Sequence, residues 1–490
     1  MLKVEKVFVK CAFALAVAMM FMVGNAYAES AKYVFLFIGD GMGLPQRAAT
    51  AAYTGKKLAI DSMPAQGVTT TFANDRFITG SAASATALAT GVKTNINYIG
   101  MDPDFKPVKN LAEMAKEQGK KVGIVSSVSI DHATPAAFYA HVKTRKMYHE
   151  IDCALAESGF DFFAGGGMVD PTGKKSKAPL GDALEKAKAN GYRIVSDKKE
   201  FMALKPGDGK VLAWNAWLQD AQALPYSMDM TDKDITLPEF TGKAIEMLDN
   251  DKGFFLMVEG GKIDWACHAN DAAASILNTI AFDQAAQKAL DFYKKHPNDT
   301  LIVVTGDHEC GGLTLGFAGT QYGSNYEVLG NQKISFQKFT DEVMADFRKS
   351  GGDFEAMKPV ITKNFGLKFA GDPKKDILVL ADYQIDELKT AFARSMKAEA
   401  KAEGAEYLLY GDYDPLSVTL THLLNQKAGL AWTSYKHTGV PVSTSAIGVG
   451  SEQFNGYYDN VDIATKIMSS MGLQAQPQYV ESGKVRIAAN

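Results

Sequence analysis

The sequence predicts an α/β fold: a three-layer sandwich in which a large, mostly parallel central sheet lies between helical layers. Two observations carry this. Eight short runs are apolar at nearly every position, as strands buried on both faces are, and helix-like stretches alternate with them. In chain order the runs lie at 33–38, 68–72, 122–128, 160–163, 192–195, 254–258, 301–304 and 446–449. Helices are expected at 81–90, 111–118, 182–188, 241–248, 271–293 and 461–471. From about 317 to 430 the chain is richer in Lys, Glu and Ala but keeps an apolar stripe at Leu388, Phe392 and Met396. That periodicity predicts an inserted helical subdomain, not a linker. The main domain is then 29–316 joined to 431–490.

A chain of 490 residues can bury a large core, and its composition is that of an ordinary globular protein. No internal period marks a solenoid or propeller. The formal charge of −4 gives no basic face for a nucleic acid or an anionic membrane. Lys3, Lys6 and Lys10 precede an apolar run at 11–23, and Ala26-Tyr27-Ala28 follows with small residues at the cleavage positions. This is the pattern of a secretory signal peptide over 1–28, cleaved after Ala28. The run is shorter than the roughly 20 residues of a membrane span, so a periplasmic or secreted protein with no span after cleavage is expected. Cleavage removes three lysines and one glutamate and moves the formal charge to −6. Cys153, Cys267 and Cys310 remain, an odd number that leaves at least one thiol free or paired between chains.

In open α/β sheets the working site lies beyond the carboxyl ends of the strands. Asp40 follows the run at 33–38, Glu259 the run at 254–258, and Asp307-His308 the run at 301–304. Asp264 and His268 are spaced i, i+4, which on a helix turns both to one face and suits a zinc ion with mixed N/O ligands. Ser81 follows Gly80 and opens a helical stretch, where the dipole and free N–H groups favour anions. Taken alone, each has a plainer reading: a surface Asp–His pair, a turn aspartate, and for Ser81 a helix cap.

Together these residues resemble the alkaline phosphatase family. The stretches that carry the resemblance are Phe37-Ile38-Gly39-Asp40-Gly41-Met42-Gly43, Gly80-Ser81-Ala82-Ala83-Ser84-Ala85-Thr86-Ala87 and Ala133-Thr134-Pro135-Ala136-Ala137. Val258-Glu259-Gly260-Gly261-Lys262-Ile263-Asp264, Thr305-Gly306-Asp307-His308 and His437-Thr438-Gly439 complete it, in the family's order. They cover most of 33–316 and 431–470, with 317–430 outside. The resemblance implies a phosphate-monoester hydrolase acting through a phosphoserine on Ser81. It implies a first zinc on Asp264, His268 and His437, and a second on Asp40, Asp307 and His308. A magnesium would take Asp40, Thr134 and Glu259, and Arg145 would clamp the phosphoryl oxygens. It also implies small phosphate monoesters as substrates and a homodimer.

Two departures modify the expectation. Gly80 stands where the family often has Asp, which predicts a looser Arg145 and faster phosphate release. His132 lies two residues before Thr134, and imidazole suits zinc better than magnesium, so partial replacement of magnesium by zinc is expected at the third site. Rival activities of the superfamily fit less well. Ser81-Ala82-Ala83-Ser84-Ala85 lacks the Pro and Arg of a sulfatase maturation motif, and diesterases of this group usually carry threonine as nucleophile. A non-catalytic binding protein would not need the nucleophile, clamp and every ligand position filled.

Overall fold

The computed structural model describes residues 30–397 and 403–480, so the expected signal peptide lies outside the described residues. The strands are β1 (Tyr33–Gly39), β2 (Ala65–Thr70), β3 (Lys121–Ser126), β4 (Phe162–Gly165), β5 (Tyr192–Val195) and β6 (Lys210–Trp214). They continue with β7 (Phe254–Glu259), β8 (Thr300–Gly306), β9 (Glu309–Cys310), β10 (His437–Thr438), β11 (Val442–Gly448) and β12 (Gly456–Asp459). Ten of them form one sheet in the order β12-β2-β11-β8-β1-β7-β3-β4-β6-β5. Every neighbouring pair is parallel except the two that β11 makes with β8 and β2. The α/β class and the mostly parallel sheet expected from the sequence are therefore present.

The central strands β1, β7 and β8 are buried at every residue, as apolar runs covered on both faces must be. Toward one edge β2 alternates buried and exposed positions, so its apolar content is low and its run reads three residues late in the sequence. β6 and β12 were not among the expected strands. β12 is an edge strand, Gly-Tyr-Tyr-Asp, with no buried residue to give an apolar signal.

Helices cover both faces of the sheet, which separates two apolar clusters, one around Val34, Leu36 and Ile124, the other around Phe35, Phe37 and Phe254. Alternate residues of β1 enter opposite clusters, as the period of a strand requires. All ten residues of the helix Ser81–Thr90 are buried, and its small side chains let it pack against the helices Ala133–Ala136 and Asn460–Ser470. Between 317 and 430 the helices Phe354–Phe365, Asp382–Lys397 and Pro415–Ala428 surround a third cluster that includes Ile361, Phe365, Leu388, Leu416 and Leu420. Ala272 and Ile276, from the long helix Ala272–Tyr293, join it.

The register fixes where the functional ends meet. Ile38 pairs with Glu259 across β1–β7, and Gly39 with Gly306 across β1–β8, so Asp40, Glu259 and Asp307 emerge side by side. A buried ladder of hydroxyls braces the neighbouring strands. Thr444 Oγ1 lies 2.7 Å from Thr69 Oγ1 and 2.8 Å from Thr305 Oγ1, linking β2, β11 and β8. Replacing Thr444 with Val keeps the shape but removes the shared partner of two buried hydroxyls. A loss of about 1–3 kcal/mol is expected, and chemical denaturation of Thr444→Val against the parent chain measures it.

Candidate active site

Asp40 follows β1, Glu259 ends β7, and Asp307 and His308 follow β8; all four are fully buried. The chain turns after Asp40 through Gly41, whose φ is +69° and whose N–H donates to Asp307 Oδ1 at 3.1 Å. A Cβ at Gly41 would lie 2.8 Å from the Asp264 Cα, so both backbone angle and space demand glycine.

The helix Lys262–His268 begins just beyond β7 and presents Asp264 and His268 one turn apart, with His268 Nε2 at 3.3 Å from Asp264 Oδ2. His437 reaches the same place from far along the chain by the short antiparallel ladder β9–β10, which pairs His437 with Cys310. Its Nε2 is 3.6 Å from Asp264 Oδ1 and 3.1 Å from His268 Nε2. The other nitrogens orient both rings. His268 Nδ1–H donates to the Tyr435 carbonyl at 2.6 Å, and His437 Nδ1–H to the Thr79 carbonyl at 2.9 Å. Each Nε2 is thereby left as a lone pair, and two lone pairs facing one carboxylate at these distances make the cradle of a cation.

A second group forms around His308. Its Nε2 is 3.3 Å from Asp40 Oδ1 and 3.4 Å from Asp307 Oδ2. Asp40 is shared with a third group containing Glu259 and His132. Among the described residues, both oxygens of Asp40, Asp264 Oδ1, Asp307 Oδ2, Glu259 Oε1, Thr134 Oγ1 and His308 Nδ1 are buried without a hydrogen-bond partner. Orphaned buried oxygens in such number are costly unless cations satisfy them, so the donor sets fit metal ions.

Protonation follows from the crowding. Burial, then the charges of Asp307, Asp264 and Glu259, push the Asp40 carboxyl well above the usual carboxylate range. Burial and the charges of Asp264 and Glu259 do the same to Asp307. Burial would also raise Asp264, but His268, His437 and His308 outweigh it and hold it well below that range. Burial would lower His268, yet Asp264 raises it, whereas burial and His268 keep His437 low against the pull of Asp264.

Ser81 is not the helix cap that its position alone suggests. Gly80 occupies the N-cap, and Ser81 is the first helical residue. Ser81 Oγ lies instead 3.4 Å from His308 Nε2. Ser84 pins this helix to the site: its hydroxyl donates to the Asp307 carbonyl at 2.6 Å and accepts from Asn460 Nδ2 at 3.0 Å.

Arg145 Nη2 donates to His132 Nε2 at 2.6 Å, while the Arg145 N–H donates to the Asn97 carbonyl at 2.8 Å. With Nε2 accepting, the neutral His132 ring carries its proton on Nδ1, which faces Glu259 Oε1 at 3.7 Å. His132 thus ties the guanidinium to the third group, and Trp265 packs edge-on against its ring at 5.9 Å. A Cβ on Gly80 would meet only Ile96 Cδ1, at 3.7 Å, so space exists for a side chain there.

Seven of the eight expected metal-ligating residues converge on this place, with Ser81 beside His308 and Arg145 on His132 of the third group; the eighth, Thr134, lies two residues after His132 with its hydroxyl buried. Cys310 also lies within reach of the first group. Burial pushes its thiol well up, and its S–H donates to the Asp264 carbonyl at 3.7 Å, so it packs as a thiol. Cys153, Cys267 and Cys310 are all free. Sequence reasoning missed Ser126, whose hydroxyl bonds Glu259 Oε2, and Glu309, which holds Gln46 Nε2 at 2.8 Å and the Thr438 hydroxyl. Glu309 and Thr438 directly follow His308 and His437, and that adjacency was the available signal. The Thr79 and Tyr435 carbonyls left none, since every residue has one.

Chemistry at strand ends, built on clustered carboxylates and imidazoles around a buried serine, places the chain among metal-dependent α/β hydrolases. The sequence profile of the family described as "Alkaline phosphatase" matches residues 31–473, and the chain belongs to that family. The match runs through 317–430, which the resemblance read from motifs had left outside. "Alkaline phosphatase 3" of Bacillus subtilis (strain 168) is 34% identical over 461 residues, covering 90% of this chain and 89% of that protein. Among solved structures, the cold-active alkaline phosphatase from Shewanella sp. superposes with a TM-score of 0.74 at 28% identity, covering 90% of this chain and 99% of that one. A variant of TAB5 alkaline phosphatase with Mg bound in its M3 site gives 0.62 at 27%, covering 91% and 99%. The protein is accordingly a phosphomonoester hydrolase of a metal-dependent family.

Protons and metal ions compete for Asp40 and Asp307. A carboxyl whose pKa is raised on folding binds more protons folded than unfolded, so in the metal-free protein this pair withdraws stability as pH rises. A metal ion replaces those protons and restores it. The rise in Tm on adding Zn²⁺ to metal-stripped protein is therefore expected to be larger at about pH 8 than at about pH 5; calorimetry at both values measures it.

Proposed function

We propose that the chain is an exported phosphomonoesterase that forms a phosphoserine on Ser81 with the help of two zinc ions and one magnesium ion. Asp264, His268 and His437 would hold the first zinc, Asp40, Asp307 and His308 the second, and Asp40, Thr134 and Glu259 the magnesium. His132 beside that third group supports partial replacement of magnesium by zinc. When bound, such ions act as Lewis acids that neutralise charge on the entering and leaving oxygens of an in-line displacement.

The protein's own groups supply the rest. Ser81 stands at the start of a buried helix whose intrahelical bonds begin only with Ser84 N–H, so earlier N–H groups are free to meet an anion. Arg145 offers a planar fork to two phosphoryl oxygens, which lysine cannot do, and His132 Nε2 holds that fork in place. Ser81 gives up its proton as its oxygen bonds to phosphorus and the ester P–O bond breaks, releasing the alcohol. Water then attacks phosphorus, the P–O bond to Ser81 breaks, and the serine recovers a proton as phosphate leaves. The observation that carries this reading is the position of Ser81 Oγ 3.4 Å from His308, itself 3.3 Å from the Asp40 that two ligand groups share.

Export rests on the leader pattern over 1–28, with cleavage after Ala28 into a periplasm or medium; no helix among the described residues is long and apolar enough to cross a membrane. A homodimer is supported by an apolar edge where Val68 pairs with Tyr457 across β2 and β12, 42% and 69% exposed. The domain division into 29–316 with 431–490 and an inserted 317–430 is supported by a third apolar cluster made mostly of that segment, which Ala49, Ala272, Ala273, Ile276 and Leu313 of the main domain join.

Replacing Ser81 with Ala is expected to abolish the covalent phosphoenzyme and lower kcat by about a thousandfold or more, while metal content stays unchanged. Trapping of labelled phosphoenzyme, metal analysis and hydrolysis of aryl phosphate, bis-aryl phosphate and aryl sulfate read this out. Full activity in Ser81→Ala, or a preference for the diester or the sulfate, overturns the reading.

A further inference from the structure

A cavity of about 470 Å³ lies apart from the residues of the hydrolytic site, between the long helix Ala272–Tyr293, the start of the helix Leu237–Leu248 and the loop 224–236. Leu224, Met228, Met230, Leu237, Leu277 and Ile280 make most of its wall, and no charged side chain lines it. Its size falls in the range of small-molecule sites, which are apolar with a few placed polar groups. The neutral lining excludes a phosphate ester, since a buried anion there would have no counter-charge. Paired methionines give a wall that adapts to the shape of an apolar guest.

Of the polar residues in the wall, Ser127, Ser227, Thr236, Asn278 and Gln284, it is Ser127 that also joins the hydrolytic site. Ser127 is 6% exposed, lines the cavity, and its Oγ accepts the Lys262 N–H at 3.1 Å. Its own O–H has no acceptor among the described residues and is available to a ligand. The same residue reaches the hydrolytic site through its backbone. Its N–H donates to the Glu259 carbonyl at 3.1 Å, and its carbonyl accepts the Leu224 N–H at 3.0 Å from the cavity wall. Lys262 is the first residue of the helix that carries Asp264 and His268.

We propose that this cavity binds a neutral, predominantly apolar small molecule with one hydrogen-bond acceptor, such as a ketone or an ester, whose oxygen takes the Ser127 O–H. Occupancy fixes Ser127 and through it steadies Glu259 and the helix Lys262–His268. Only this second statement rests on the metal roles proposed above.

The test uses the whole metal-loaded protein carrying ¹³C-methyl methionine, with valerophenone as probe and pentylbenzene as the same shape without the acceptor. Saturable shifts of the Met228 and Met230 methyl signals are expected with valerophenone, and their loss in Ala281→Trp, which places a ring in the cavity from a half-buried helix position. Gln284→Trp, from an exposed position on the same helix, serves if that variant does not fold. Ser127→Ala should weaken valerophenone about five- to tenfold and leave pentylbenzene unchanged. Bound valerophenone should slow chelator-driven loss of metal at least twofold in the parent chain and not in the blocked variant. Absence of saturable shifts, or binding to the blocked variants as tight as to the parent, overturns the site. Equal loss of both probes in Ser127→Ala overturns the role of its hydroxyl. An unchanged rate of metal loss overturns the link to Glu259, and the methyl shifts report binding whether or not the chain hydrolyses a phosphate ester.

Discussion

Mutual repulsion among Asp40, Glu259, Asp264 and Asp307 is the constraint around which the rest of the molecule is arranged. The first three are at most 3% exposed and Asp307 is wholly buried, so water cannot relieve them. Parallel strands in this register force the strand-end carboxylates together, and the helix after β7 adds the fourth. Such a cluster persists in a folded protein when positive charge enters it, from protons or from metal ions. His268, His308, His437 and Arg145 stand close to it, each held by a partner or by complete burial. The sheet supplies rigidity, and the charge supplies a reason for ions to bind.

The fold was legible because it depends on bulk patterning. Runs such as 33–38 and 254–258 become central strands, and the apolar periodicity over 241–248 and 271–293 becomes two helices against the sheet. Strands that escaped notice sit where burial is partial. β12 exposes both its tyrosines to some degree, and β6 opens on a half-buried lysine and closes on a half-buried tryptophan. For the site, residue types at strand ends were visible, but none was decisive without the others. Ser81 shows this well: its position near a helix start fits a cap, and only the three-dimensional neighbourhood of His308 separates the two roles. Orientation by main-chain carbonyls, at Thr79 and Tyr435, has no sequence correlate at all.

Arg145 is positioned by an imidazole. Its guanidinium donates to the neutral His132 acceptor at 2.6 Å. A hydrogen bond to a neutral acceptor is weaker than one to a carboxylate, so the guanidinium is held by direction more than by charge. The same imidazole faces Glu259 with its other nitrogen. Arg145 and the third group are therefore joined through one ring.

The short ladder between β9 and β10 has a bearing on how the protein is made. His437 lies beyond the whole segment 317–430, yet completes a group begun by Asp264 and His268. A chain still being synthesised, or one cut short before that point, owns most of the ligands but lacks the last imidazole of the first group. The first group is complete only when the C-terminal part docks against Cys310 and Glu309, so its geometry depends on the chain being whole.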